Sequence, residues 1–206
     1  MGLAGASRIL LDITSRYDTL RTMSERKIAL LGYALLGLLH QKPSSGYDLR
    51  KIFATTPMGG FSDSPGAIYP ALQRLQQSGL IRARVEDRAG LRRRRVFSLS
   101  AAGVAALEKW LAGPVTRNDL MRHIDDLMLR FAFMDGVKGQ AASLEFLKNF
   151  RKDLSAYIPE LHGHLNALRE HMTVSGRLAL ESGILSYETL LHWIKTSIVT
   201  YQKIKR

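Results

Sequence analysis

The sequence predicts a mainly α-helical chain in two parts, the first of which carries a small β-hairpin. Three observations predict it. Apolar residues recur at steps of three and four along most of the 206 residues, the period of an amphipathic helix. One stretch, LIRARVE and then RVFSL, alternates instead with a period of two, as paired strands do. The charge is also lopsided. Of a formal net +12, residues 27–113 hold 13 Lys/Arg against 5 Asp/Glu, while residues 114–206 hold 13 against 10. The organisation read from these patterns is an extension over 1–26, a basic domain over 27–113 and a helical domain over 114–206.

In the extension, Ile9, Ile13, Tyr17 and Leu20 hint at a helix, and Met23 is a second plausible start. Ile28, Leu31, Leu35, Leu38 and Leu39 then make the apolar stripe of a first helix over 27–41. Pro43 stops it. Ser44 or Ser45 can cap a second helix from Gly46 to about Ala54, with Tyr47, Leu49 and Phe53 for packing. TTPMGGFSD reads as a loop. Ser64 caps a third helix that has Pro65 at its first position and runs to about Ser78. Ile68, Leu72 and Leu75 are its buried face, and Gly79 ends it. The hairpin follows, with Arg82 and Arg84 on its first strand and Arg92, Arg93, Arg94 and Arg95 in its turn. Ser100 caps a fourth helix, AAGVAALEKWL, closed by Gly113-Pro114.

From about Asn118 the helices lengthen. Ile124, Leu127, Met128 and Phe131 share one face. Leu144, Leu147, Arg151, Leu154, Ile158, Leu161, Leu165, Leu168 and Met172 share another. Ile184, Tyr187, Leu191, Ile194, Ile198 and Tyr201 form a third stripe. Such seams fit helices that lie along one another. They serve either an intramolecular bundle or a dimer interface, for which Ile184, Leu191, Ile194 and Ile198 are the candidates.

Composition excludes several classes. Hydrophobic residues make up 46% and charged residues 23%, with no cysteine, so a disulfide framework and a thiolate metal site are ruled out. No apolar run is long enough for a membrane span, and no signal peptide is evident; a cytoplasmic location is expected. His162 and His164 point to different faces of a helix, and no carboxylate cluster completes a metal site. His123, Asp125 and Asp126 stand together without a nucleophile or a phosphate loop, so neither an enzyme nor a cofactor is expected.

Three helices and a two-stranded ribbon within about 75 residues are the plan of a winged helix-turn-helix, in which the third helix enters the major groove. With Ile68, Leu72 and Leu75 inward, the outer face carries Ala67, Pro70, Ala71, Gln73, Arg74 and Gln77. Small residues let the backbone approach DNA, and Gln and Arg can donate to base edges. Ser64 and Gly66 open the helix, where backbone N–H groups suit a phosphate. Four consecutive arginines on a hairpin tip suit the phosphate backbone. A protein-interaction module, with the basic wing meeting an acidic partner, is the alternative.

The stretches LGYALLGLLHQKPSSGYDLRKIF, FSDSPGAIYPALQRLQQSGLI and RRRRVFSLSAAGVAALEKW resemble the PadR family of bacterial transcriptional regulators. The most specific parts are Ser45-Gly46-Tyr47, Ser64-Pro65-Gly66 and Ile68-Tyr69-Pro70-Ala71-Leu72, and the similarity covers roughly residues 28–112. The resemblance implies a winged-helix homodimer on double-stranded operator DNA, usually a repressor, with a helical C-terminal dimerisation domain in the longer members. It places Ser45, Tyr47, Ser64, Gly66, Tyr69 and Arg74 among the DNA contacts or their supports. Some members release DNA on binding small aromatic compounds, which makes Tyr187 and Trp193 candidates for a ligand. The wing departs from the family's Gly-Arg-Pro-Arg-like turn, and residues 1–26 have no counterpart.

Overall fold

A computed structural model describes residues 30–56, 58, 64–86 and 93–204. The expectations for the extension and for Arg92 lie outside these residues. The chain divides into two compact units between Leu107 and Glu108.

In the first unit, α1 is described over residues 30–41. It buries Leu31, Ala34, Leu35, Leu36, Leu38 and Leu39, more than one stripe's worth. Ser44–Ser45 then form a two-residue strand, β1, where only a helix cap was expected. The helix α2 spans Gly46–Thr55. Its cap is a reciprocal box: the Ser45 hydroxyl accepts from the Asp48 N–H, while the Asp48 carboxylate accepts from the Ser45 N–H. Two otherwise orphaned donors are satisfied in this way. The third helix, α3, covers Pro65–Gln77 and buries Ile68 and Leu72. Gly79, at φ 71°, turns the chain out of it in a conformation that only glycine adopts cheaply.

The strands β2 (Ile81–Glu86) and β3 (Arg94–Leu99) pair in antiparallel register from Ile81 opposite Leu99 to Glu86 opposite Arg94. On its other edge β3 takes β1, with Ser44 opposite Phe97 and Ser45 opposite Val96. The sheet order is therefore β1-β3-β2. The fourth helix, α4, spans Ala101–Leu111. The Ser100 hydroxyl accepts from Gly103 N–H at 3.0 Å and donates to Gly79 O at 2.6 Å. This brings the start of α4 down onto the end of α3. A Cβ on Gly103 would sit 2.0 Å from the Leu80 carbonyl oxygen.

The second unit continues with α5 (Arg117–Arg122), α6 (Ile124–Lys138), α7 (Gln140–Leu168), a 3-10 turn over Arg169–His171 and α8 (Val174–Ile204). Gly139, at φ 81°, separates α6 from α7. The long α7 and α8 pack along each other. Their seam buries Leu144, Leu147, Leu154, Ile158 and Leu165 from α7, and Ile184, Ile194 and Ile198 from α8. Leu168 is exposed, because α7 ends there rather than running on through Met172.

Sequence reading missed the charged residue at the centre of this unit. Arg130 is 4% exposed. Its guanidinium donates to the carbonyls of Gly113 and Pro114 and lies over the Phe146 ring at 5.3 Å. It thereby caps the carbonyl-rich end of α4 from α6, one turn beyond half-buried Asp126. Burial holds the Asp126 carboxyl above its ordinary range, against the pull of Arg130. Desolvation lowers the Arg130 guanidinium in turn.

Two outcomes follow for stability. Gly103→Ala should destabilise the first unit by roughly 1–3 kcal/mol, since the added methyl meets backbone rather than a movable side chain; urea unfolding would show it, and a wild-type midpoint would contradict the close approach. A carboxyl raised in the folded state holds more protons there than in the unfolded chain. Stability is then lost as pH rises from the unfolded carboxyl's range through the raised one. Asp126→Asn should remove that loss, so its melting temperature should vary less across the window than the wild type's.

Candidate nucleic-acid interface

The outer face of α3 is presented much as its sequence suggests. Gly66, Tyr69, Pro70, Gln73, Arg74 and Gln77 are exposed, and Ala67 is half-buried. Ala71 differs: it is 2% exposed. On a helix it stands three residues after Ile68 and four before Leu75, so it belongs to the edge of the core face. Pro70 lies inside the unbroken helix, where its missing N–H forfeits only the bond to the Gly66 carbonyl.

The start of α3 is less open than expected. The Ser64 hydroxyl accepts from Gly66 N–H at 3.2 Å, and the Ser64 carbonyl accepts from Ala67 and Ile68 N–H at 3.0 and 3.1 Å. Pro65 has no N–H to give. The first-turn donors are thus engaged inside the chain, and the reading of Ser64 and Gly66 as a ready cradle of free amides is corrected. The positive end of the helix dipole remains there.

Ser45 is also reassigned. It is buried, and its hydroxyl donates to Asp48 Oδ2 at 2.9 Å. It builds α2 and does not face a partner. Its neighbours explain the Ser-Gly-Tyr sequence. A Cβ on Gly46 would fall 2.6 Å from Tyr69 Cε1, so glycine there lets the α3 tyrosine lie on the first turn of α2. Tyr47, beside it, is 61% exposed, with the Arg50 guanidinium 5.6 Å over its ring; Tyr69 is 47% exposed. Two aromatic rings therefore stand at the surface where α2 and α3 meet.

The arginine run is divided. Arg94 and Arg95 are not in the turn: they are the first two residues of β3, because the hairpin ladder closes only at the Glu86–Arg94 pair. Arg94 pairs with Asp48 of α2. Arg95 donates to Gln76 Oε1 of α3 at 2.5 Å and lies 5.3 Å over the Phe97 ring. Arg93 is exposed just before the strand. On β2, Arg82 and Arg84 are exposed, and Arg84 pairs with Glu86 at 2.5 Å.

The electrostatic result is simple. Among the described residues up to Leu107 there are nine Lys/Arg and two Asp/Glu. Both acids are occupied, Asp48 by Arg94 and its own cap, and Glu86 by Arg84. The excess of cations lies on a surface that includes the outer face of α3 and the wing strands.

The candidates in the second unit are placed differently from expectation. Ile184, Ile194 and Ile198 are 3%, 0% and 4% exposed within a single chain, because α7 covers the stripe they form, and Leu191 is half-buried. The seam offered to a second copy is thus the unit's own core. A different stripe of α8 points outward: Leu178, Leu185 and Val199 are exposed, with exposed Ser182, Thr189 and Thr196 between them. Tyr187 and Trp193 belong to separate ring clusters. The Tyr187 ring meets Tyr157 edge-on at 5.4 Å, and its hydroxyl donates to the Leu120 carbonyl at 3.0 Å. Trp193 meets Phe131 edge-on at 5.4 Å. Both are engaged in packing.

Residues 35–109 match the profile of the Transcriptional regulator PadR-like family. The chain is 25% identical over 182 residues to "Negative transcriptional regulator PadR" of Bacillus subtilis, spanning 84% of this chain and 98% of that one. It is 39% identical over 57 residues to "Transcriptional regulator YqjI" of Escherichia coli, 28% of each chain. Among solved structures, Bacillus subtilis PadR in complex with operator DNA is similar at 23% identity and TM-score 0.37, covering 83% of this chain and 98% of that one. The PadR-like regulator BC1756 of Bacillus cereus is similar at 25% identity and TM-score 0.37, covering 82% and 94%.

Proposed function

The chain belongs to the PadR-like family of transcriptional regulators, and we propose that it is a cytoplasmic, non-enzymatic repressor that binds operator DNA as a homodimer and is released by a small aromatic effector. The observation that carries the DNA-binding part is the pairing of charges. One unit holds nine cations and two acids among its described residues, and both acids are already bound to its own groups. A polyanion is the partner that such a surface suits.

In this reading α3 lies in the major groove. Gln73 and Arg74 face base edges, with Ala67 and Pro70 allowing close approach and Tyr47 and Tyr69 flanking the backbone. Arg93, with Arg92 beyond the described strand, meets phosphates. Repression is supported by the similarity to the Bacillus subtilis negative regulator. The effector rests on the family resemblance, with Tyr187 and Trp193 as candidates in two separate packing clusters.

The homodimer in this reading uses the outward stripe of α8. Its residues Leu178, Ser182, Leu185, Thr189, His192, Thr196 and Val199, all exposed, follow alternating steps of four and three, the spacing of a helix seam. A buried seam on one side and an exposed one on the other let α8 pack within its own chain and against a second copy.

Two measurements test this reading. Gln73→Ala or Arg74→Ala should weaken operator binding by roughly 1–3 kcal/mol if either reads a base, with less loss on random DNA. Equal losses on both DNAs would remove α3 from the groove. Leu185→Glu combined with Val199→Glu should give a folded monomer in sedimentation and poor operator binding, since two half-sites are no longer held together. A double variant that sediments as a dimer would show that the copies meet elsewhere.

A further inference from the structure

The arginine run of the wing looks like four equivalent phosphate contacts, yet two of its members are engaged by the neighbouring helices. Arg94 and Arg95 are neighbours on β3, so their side chains leave opposite faces of the strand. Arg94 reaches α2, where Asp48 takes its guanidinium. Arg95 reaches α3, where Gln76 accepts at 2.5 Å, and its guanidinium lies over Phe97. The two helices grip the strand from its two sides, at the last two strand pairs before the tip.

We propose that Arg94 and Arg95 are positioning residues, and that Asp48 and Gln76 are the fixed points from which they set the pose of the wing against α3. The proposal rests on the DNA-binding reading given above.

Asp48 is suited to this work. As the third residue of α2, it already accepts from the Ser45 N–H at 3.1 Å and the Ser45 hydroxyl at 2.9 Å. The carboxylate is therefore held in place before Arg94 arrives, and the positive end of α2 favours its charge. Ser45 in turn pairs through its backbone with Val96 of β3. One acid thus links the start of α2, the β1–β3 pairing and the outer end of the wing ladder. The Arg94–Asp48 pair is two-thirds shielded from solvent on each side, where an ion pair is less screened than at an open surface. A guanidinium fits this task better than an ammonium, because its planar fork fixes direction as well as distance.

The chemistry follows from the geometry. A hairpin fixed by its outer end reaches DNA with its orientation already set, so little ordering remains for binding. Neutralising Arg94 locally also removes one of the like charges crowding Arg93. The run then divides its work: two arginines shape the wing, and those nearer the tip meet phosphates.

Simple electrostatics and this proposal predict opposite results, which makes the test direct. The full chain is titrated with salt on a selected operator and on random DNA, and circular dichroism confirms that each variant is folded. Arg93→Gln should flatten the slope of log affinity against log salt by about 0.9, as a lost phosphate contact does. Arg94→Gln and Asp48→Asn should each weaken operator binding about tenfold while leaving that slope unchanged, and the double variant should be no worse than either single one. Gln76→Ala should behave alike with Arg95→Gln, so the second bracket decides the matter if Arg94→Gln does not fold. If Asp48→Asn binds more tightly with a steeper slope, or Arg94→Gln flattens the slope as Arg93→Gln does, the arginine is a DNA contact and the proposal is wrong. A wild-type chain that binds neither DNA at low salt would instead overturn the DNA-binding reading itself.

Discussion

Val96 and Phe97 are consecutive residues of β3, and both are buried. Neighbours on a strand point to opposite faces, so a strand that buries two in a row must be covered on both sides. That requirement organises the basic unit. β3 is the middle strand, paired with β2 on one edge and β1 on the other. The short β1 is drawn from the residues that cap α2, and β2 follows directly from the turn that ends α3. Each helix of the candidate interface is thus registered on one strand through a connection of a few residues. Ser100 and Gly103 complete the arrangement by closing α4 onto the Gly79–Leu80 backbone.

The helical unit shows how one helix can carry two seams. An α-helix presents a new face every few residues, and a stripe at steps of three and four occupies only part of its circumference. In α8, the stripe of Ile184, Ile194 and Ile198 is buried, while the stripe of Leu178, Leu185 and Val199 stays outside. The inner stripe is richer in large apolar residues. The outer one mixes leucine and valine with hydroxyl residues and His192, a surface that tolerates water when unpaired. Arg130 gives this unit a polar centre: backbone carbonyls take the donors of its two terminal nitrogens and Phe146 takes its flat face, which offsets much of the cost of its burial.

Much of this was legible in the sequence, and the failures have physical reasons. The bounds of α2, α3, β2 and α4 follow from caps, prolines and glycines, which act locally: Ser45, Ser64, Gly79 and Ser100 all work where the sequence puts them. The outward face of α3 was readable because Ile68 and Leu72 fix its rotation, with Leu75 only half-buried beyond them; Ala71 was misjudged because it lies at the margin of that face. What could not be read was pairing at a distance. Nothing near Ser45 says that it will hydrogen-bond beside Val96, and nothing near Arg94 says that a carboxylate 46 positions earlier awaits it. The four arginines looked alike because charge is a property of the residue, while its use is a property of the neighbours. The α8 stripe failed in the same way, since periodicity reports that a face is buried and not by what.

A basic surface is useful to a DNA-binding protein only if its cations are not neutralised from within. Yet a folded unit with no acids at all would have nothing to orient its arginines, and like charges would splay the hairpin. Within the described part of the basic unit the compromise is to keep two acids and to place each where its effect is short-ranged. Glu86 lies at the outer end of β2 and pairs with Arg84 two residues away, on the same face of the strand. Asp48 sits between a helix cap and Arg94. Each neutralises one named cation and no broad patch, so Arg74 and Arg82 keep their long-range field. The same two acids therefore shape the wing without blunting the surface it serves.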